Sequence, residues 1–139
     1  MAKVDRTASI DSESKQGALV ASWRHDADTA EVAEARHTTG KVLIDWGCDG
    51  LVDDAQLVVT ELVTNAILHT ESPCTVSLQL SDSALHIAVT DHGLGFPERQ
   101  PFDLHREGGR GLLIVSSLAD AWGVEPVDQG KTVWATLAA

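Results

Sequence analysis

The sequence predicts an α+β fold, a two-layer sandwich in which helices cover one face of a mainly antiparallel sheet. Three observations lead to this class. Two alternating apolar segments follow each other across a short polar turn and predict a hairpin, two long segments have helical spacing, and further strand-like segments lie near both ends of the domain. The predicted order is strand, helix, helix, hairpin, loop, helix, strand, which favours one sheet with its helices on one side.

Length and composition indicate one domain. The chain has 139 residues, 43% of them hydrophobic, which is enough to bury one core. Residues 1–16 are polar, Ser-rich and aperiodic. They predict a flexible N-terminal tail, because such a segment has little apolar surface to bury, and the domain is expected over 17–139.

The first half of the domain predicts one strand and two helices. Residues 18–25 alternate as a strand does, and a helix is expected from about Asp28, three residues before Glu31 in a loose capping box, to Trp46. A second helix is expected over 52–69. It ends before a proline, because the residue that precedes proline avoids the helical region.

The second half predicts a hairpin, a long loop, a helix and a last strand. The hairpin strands are expected at 75–80 and 84–91. Residues 92–111 are rich in glycine, proline and charge, and a loop of that length in a compact domain is more often functional than accidental. A short helix over 112–121 and a strand over 132–137 complete the domain.

Charge and composition exclude several classes of partner. Ten Lys and Arg stand against 21 Asp and Glu, a net charge of -11, so a phosphate backbone or an anionic membrane would repel the chain. A basic or mixed-charge protein partner is favoured. No segment approaches the roughly 18 apolar residues of a membrane span and no export signal begins the chain, so a cytoplasmic protein is expected. Cys48 and Cys74 are expected as reduced thiols rather than a disulfide.

The second predicted helix carries a polar stripe between apolar borders. At about 100° per residue, Asp54, Glu61, Asn65 and His69 fall on one side, and the stripe contains no Lys or Arg. An Asn side-chain oxygen suits Mg²⁺, and a Glu one turn away could orient or deprotonate a hydroxyl or a water. A solvated helix face explains the same residues equally well, and His69 is expected to cap the helix end rather than bind metal.

A predicted strand ends at Asp91, and two glycines follow it. A carboxylate at a strand end can accept a hydrogen bond from an exocyclic amine, while Gly93 and Gly95 let the backbone turn or pass close to a bound ring. The same pattern also makes ordinary turns.

A second glycine cluster immediately precedes the third predicted helix. Gly109 and Gly111 would leave backbone N–H groups open to a phosphate, and Arg110 could contact a terminal phosphate, although a loop arginine is often simply solvated. The spacing is neither that of a Walker loop nor that of a dinucleotide fingerprint.

Together these segments resemble the motifs of the GHKL ATPase superfamily. TELVTNAILHT (60–70) resembles its N box, DHGLGFP (91–97) its first glycine box, and GGRGLLIV (108–115) its second. ELVTNAxxH, LADAWGV and GKTVWATL are similar to the anti-sigma factor serine/threonine kinases and their actinobacterial-type relatives. The resemblance covers about 18–137 and implies the Bergerat-type ATP-binding fold.

The resemblance also implies roles for individual residues. Asn65 would ligate Mg²⁺, Glu61 would act as general base or water-orienting residue, and Asp91 would read the adenine amino group. The residues implied to shape the base pocket, support the adenine site or approach the phosphates are Gly93, Gly95, Gly109, Arg110, Gly111, Leu112 and Thr132. Residues 97–110 would form a short ATP lid.

The implied function is an ATP-binding anti-sigma regulatory factor with serine/threonine kinase activity. It would transfer the γ-phosphoryl group of ATP to a serine of an anti-anti-sigma (STAS-domain) protein, and would also sequester a sigma factor. The alternative is a nucleotide-gated protein-binding module without significant catalysis. The catalytic domain of a histidine kinase is disfavoured, because the chain leaves no room for a dimerisation helix pair. A homodimer through the sheet and a monomer are both compatible with the sequence.

Overall fold

The fold is the predicted two-layer α+β sandwich. A computed structural model describes residues 11–15, 18–92 and 109–139. The described elements, in chain order, are β1 (Asp11–Lys15), β2 (Ala18–His25), α1 (Glu31–Asp45), a short 3-10 helix (Asp49–Leu51), α2 (Val52–Thr70), β3 (Cys74–Leu80), β4 (Ala84–Asp91), α3 (Gly109–Leu118), β5 (Ala121–Val127) and β6 (Gly130–Ala138). The strands form one sheet in the order β1-β2-β3-β4-β6-β5, with every neighbouring pair antiparallel.

The core lies between one face of this sheet and the helices. Because successive strand residues alternate between faces, about every second residue along β2, β3, β4 and β6 is buried. The largest of these strand residues, all buried, are Trp23, Val76, Leu78, Leu85, Ile87, Val89, Val133 and Leu137.

Helix α2 is the central helix of the second layer. It packs against α1 and α3 and across β3 and β4. Its Val58, Val59, Leu62 and Val63 are almost completely buried, and each such side chain contributes about 1.5–3 kcal/mol of transfer free energy. The helix is capped at its C-terminal end by Glu71, which adopts the left-handed conformation and donates its N–H to the Ile67 carbonyl at 3.0 Å.

Part of the segment predicted as a flexible tail is a strand. Residues 11–15 form β1 and pair with β2 from Asp11–Ser22 to Lys15–Ala18. Antiparallel pairing uses backbone groups only, so a polar segment can join a sheet edge without an apolar face, and charged residues suit an edge strand. The remaining tail residues lie outside the described part of the chain.

The C-terminal part of the fold also differs from the prediction. The helix expected over 112–121 is α3, which begins and ends three residues earlier, and it is followed by β5, which the sequence did not predict. Gly123 and Pro126 lower the strand propensity of this segment, but β5 is an edge strand, where proline is tolerated. Gly123 also makes room for Trp134, whose ring lies 2.9 Å from where a Cβ would be.

Two further expectations concern the thiols and the membrane. Cys48 is half-buried and Cys74 buried, and both are free thiols. Among the described helices, none is long and apolar enough to cross a membrane.

Candidate functional site

A buried ion pair lies at the end of β4. Asp91 is only 2% exposed, and Lys131 of β6 approaches it with Nζ 2.7 Å from Oδ2. The two residues are cross-strand partners, so they project from the same face of the sheet. A buried carboxylate is costly unless a charge or a hydrogen bond compensates it, and Lys131 supplies both.

The alternation of β4 explains why a carboxylate occupies this position. Leu85, Ile87, Val89 and Asp91 are all buried, so Asp91 continues the core-facing row of its strand past the last apolar residue. Gly130 begins the partner strand with φ +151°, and a Cβ there would collide with the Asp91 backbone oxygen and would lie 2.8 Å from its Oδ1. The close approach of the two strands at the carboxylate therefore requires glycine.

The ion pair belongs to a row of polar side chains across the sheet. His25 of β2 pairs with Cys74 of β3, and Cys74 pairs with Asp91 of β4. Asp91 in turn pairs with Lys131 of β6. Burial above all, with smaller contributions from Asp91 and Glu31, raises the pKa of the Cys74 thiol from 9.0 to about 12. Cys74 is therefore a neutral, protonated thiol beside the carboxylate.

The far end of this row is fixed by a hydrogen-bonded chain that the sequence did not reveal. The Trp23 indole N–H donates to His25 Nε2 at 2.7 Å, so this nitrogen is an acceptor and the ring hydrogen lies on Nδ1. Nδ1 in turn lies 2.8 Å from Glu31 Oε1. Glu31, predicted as a capping residue, instead ties the first turn of α1 to the end of β2.

The residues of the polar stripe predicted on α2 differ in their burial. Asp54 and His69 are exposed, whereas Glu61 is half-buried and Asn65 is 7% exposed. The Asn65 Nδ2 atom is buried and finds no hydrogen-bond partner among the described residues. A buried amide without a partner is rare in folded proteins, and a bound ligand, ion or water would satisfy it.

Asn65 therefore fits the implied role in holding Mg²⁺ and a nucleotide. The two ends of an amide exchange places by a simple flip, so the same side chain can offer its oxygen to a metal ion or its N–H to a phosphate oxygen. Glu61 lies one turn earlier on the same side of α2 and makes no hydrogen bond or ion pair within the described part of the chain.

Thr132, which the resemblance implied to support the adenine site, lies on the sheet face opposite to Asp91. Its hydroxyl is 2.6 Å from that of Thr90, its cross-strand partner. Both alternate with Asp91 and Lys131, so they occupy the opposite face of the sheet. The last strand was predicted to start at 132, whereas β6 begins at Gly130. Position 131 therefore belongs to the strand and lies on the same face as Val133.

The remaining predicted site residues have less structural description. Gly93, Gly95 and most of the predicted lid over 97–110 lie outside the described residues. Gly109, Arg110 and Gly111 form the first turn of α3, with their backbone helical. The side chain of Leu112 is 1% exposed and belongs to the core.

A family model described as histidine kinase-like ATPase domain matches residues 25–137. The chain belongs to that family. The match runs from the last residue of β2 into β6 and confirms the GHKL resemblance of the three motifs. The α2 amide and the strand-end carboxylate thus lie in the part of this chain that the ATPase-domain family model covers.

Curated relatives of this histidine kinase-like ATPase domain cover only parts of the chain. An anti-sigma F factor of Geobacillus stearothermophilus is 34% identical over 96 residues, 58% of this chain and 65% of the relative. One from Pasteuria penetrans is 33% identical over 81 residues, 48% of this chain and 54% of the relative. The sensor histidine kinase PdtaS of Mycobacterium tuberculosis (strain ATCC 25618 / H37Rv) is 39% identical over 71 residues, 47% of this chain and 14% of the relative. The matched region spans less than two thirds of each relative.

Proposed function

We propose that the chain is an ATP-binding anti-sigma regulatory protein that holds Mg²⁺–ATP between α2 and the end of β4. The observation that carries this proposal is the buried Asn65 Nδ2 on α2, which has no hydrogen-bond partner among the described residues and lies one turn from Glu61. Asp91, buried at the end of β4 against which α2 packs, supplies an acceptor for the adenine amine. The similarity to anti-sigma F factors supports the regulatory part of the proposal.

The proposed reaction is transfer of the γ-phosphoryl group of ATP to a serine of an anti-anti-sigma (STAS-domain) protein. Mg²⁺, when bound, neutralises charge on the phosphates, and Asn65 would hold it through the side-chain oxygen. Glu61 would accept a hydrogen bond from the serine hydroxyl, orient its oxygen toward the phosphorus and receive its proton. Free N–H groups in the first turn of α3 would donate to phosphate oxygens.

The test is phosphoryl transfer from labelled ATP to a purified STAS-domain anti-anti-sigma protein, compared between the wild type and Glu61→Gln. The amide keeps the shape of the side chain but cannot accept the proton, so turnover is expected to fall at least about a hundredfold with ATP affinity retained. Asp54→Asn, an exposed carboxylate of the same helix, is the matched control and is expected to retain activity. ATP binding without transfer by the wild type would favour the nucleotide-gated module.

We further propose that the partners are proteins: the STAS-domain protein, a sigma factor, and a second copy of this chain. The net charge of -11 disfavours nucleic acid and anionic membranes. The sheet face opposite the helices carries small, half-buried residues along β3, β4 and β6, namely Ser77, Ala88, Thr90, Thr132 and Thr136. Such a face supports a sheet-to-sheet homodimer, and light scattering with size exclusion tests it: a mass of one chain at micromolar concentration contradicts the dimer.

A further inference from the structure

The ion pair at the β4–β6 boundary presents a hydrogen-bond acceptor and a donor side by side. We infer that Lys131 reads the adenine base together with Asp91: the Lys131 ammonium donates a hydrogen bond to ring nitrogen N1, next to the exocyclic amine that Asp91 accepts from. This inference rests on the proposed ATP site and adds to it a second residue that determines base specificity.

The chemistry of the pair matches the edge of adenine. Adenine presents an amine donor beside the N1 acceptor, so its complement is an acceptor beside a donor. An ammonium has three N–H groups, of which one is directed to Asp91 Oδ2 at 2.7 Å. The same contact holds the carboxylate in place and brings a cation within reach of any base that Asp91 binds.

The strand register places this ammonium, and not the Thr132 hydroxyl, beside Asp91. Lys131 is the cross-strand partner of Asp91, while the hydroxyl of Thr132 is turned to the other face and bonded to Thr90. Lys131 is also the more accessible member of the pair, 15% exposed against 2% for Asp91. A ligand entering from solvent therefore meets the ammonium as well as the carboxylate.

A purely structural role for Lys131 makes a different prediction. If Lys131 only offsets the charge of Asp91, its removal weakens every adenine nucleotide to the same degree, because each binds the same carboxylate. If Lys131 bonds N1, only nucleotides that carry N1 lose that contact. The analogue 1-deaza-ATP keeps the amine and replaces N1 with C–H, so it separates the two roles.

The experiment is calorimetric titration of ATP and 1-deaza-ATP into the wild type, Lys131→Met and the control Lys41→Met, an exposed lysine of α1. The wild type and the control are expected to bind ATP about tenfold more tightly than 1-deaza-ATP, which is the contribution of one charged hydrogen bond. In Lys131→Met the ratio of the two affinities is expected to be close to one. Thermal denaturation verifies that each variant is folded.

Each outcome decides the inference. An affinity ratio that is unchanged in Lys131→Met assigns Lys131 a structural role only and overturns base reading. Equal affinity of the wild type for the two nucleotides overturns it even if Lys131→Met does not fold. Failure of the wild type to bind either nucleotide rejects the ATP site itself, which is a different result from binding without discrimination.

Discussion

Lys131 Nζ lies 2.7 Å from Asp91 Oδ2, although the two residues are 40 positions apart in the sequence. The contact joins the end of β4 to the start of β6, at the point where the core-facing row changes from apolar to charged residues. The strand ladder sets the position of both side chains, so the carboxylate is held before any ligand arrives. Such preorganisation lowers the entropic cost of binding.

Replacing Gly130 by alanine should disrupt this arrangement. A Cβ at position 130 collides with the backbone oxygen of Asp91, and φ +151° is itself unfavourable for a residue with a side chain. We expect Gly130→Ala to lose at least about 2 kcal/mol of unfolding free energy in urea denaturation, together with ATP binding. Gly50→Ala is the control, because a Cβ there meets nothing within 4 Å, and it should unfold within about 0.5 kcal/mol of the wild type. Equal losses in the two variants would contradict the account.

Removing the indole N–H of Trp23 should destabilise the protein at the His25 end of the polar row that runs across the sheet from His25 to Lys131. Trp23→Phe leaves the buried His25 Nε2 without its donor, which costs about 1–3 kcal/mol in addition to the lost packing. Trp134→Phe is the matched control. Trp134 is half-buried on the sheet face opposite the helices, stacks on His86 and makes no hydrogen bond to the described residues. Denaturant unfolding followed by far-UV circular dichroism should show the larger loss for Trp23→Phe. A larger loss of stability for Trp134→Phe than for Trp23→Phe would contradict the proposed hydrogen bonding of Trp23 to His25.

The sequence identified the elements with strong periodicity and pointed to candidate site residues whose chemistry is local. The second helix and the 84–91 strand were predicted almost to the residue, as α2 and β4, because apolar residues repeat there every 3.6 and every two positions. Asp91 and Asn65 were recognisable because a carboxylate ending an apolar strand and an amide on an apolar helix are unusual in themselves.

Features that depend on pairing between distant segments could not be read from the sequence. The Lys131 contact needs the register of β4 against β6, and the Trp23–His25–Glu31 chain needs the approach of α1 to the end of β2. Strand β5 was missed because its stability comes from its neighbour β6 rather than from its own composition.

Alkaline pH should destabilise the protein through Cys74. The folded chain holds the thiol proton up to a pKa of about 12, whereas the unfolded thiol releases it near 9.0. The unfolded state therefore binds fewer protons between these values, and the free energy of unfolding falls as the pH rises from 9 towards 12, by at most about 1.4 kcal/mol per pH unit.

Denaturant unfolding at several alkaline pH values tests this dependence, and the absence of tyrosine from the chain reduces the background titration. Cys74→Ala should flatten the slope. An identical slope in the wild type and Cys74→Ala would show that other groups cause it.

The most direct measurement of the central claim is calorimetric titration of ATP, with and without Mg²⁺, into the wild type, Asp91→Asn and Asn65→Ala, with Asp54→Asn as the exposed control. We predict saturable binding that Mg²⁺ strengthens in the wild type and the control. Asp91→Asn should abolish binding, and Asn65→Ala should bind equally with and without Mg²⁺. A folded wild type that does not bind ATP at millimolar concentration would contradict the account, and the motifs would then serve as the scaffold of a protein-binding module.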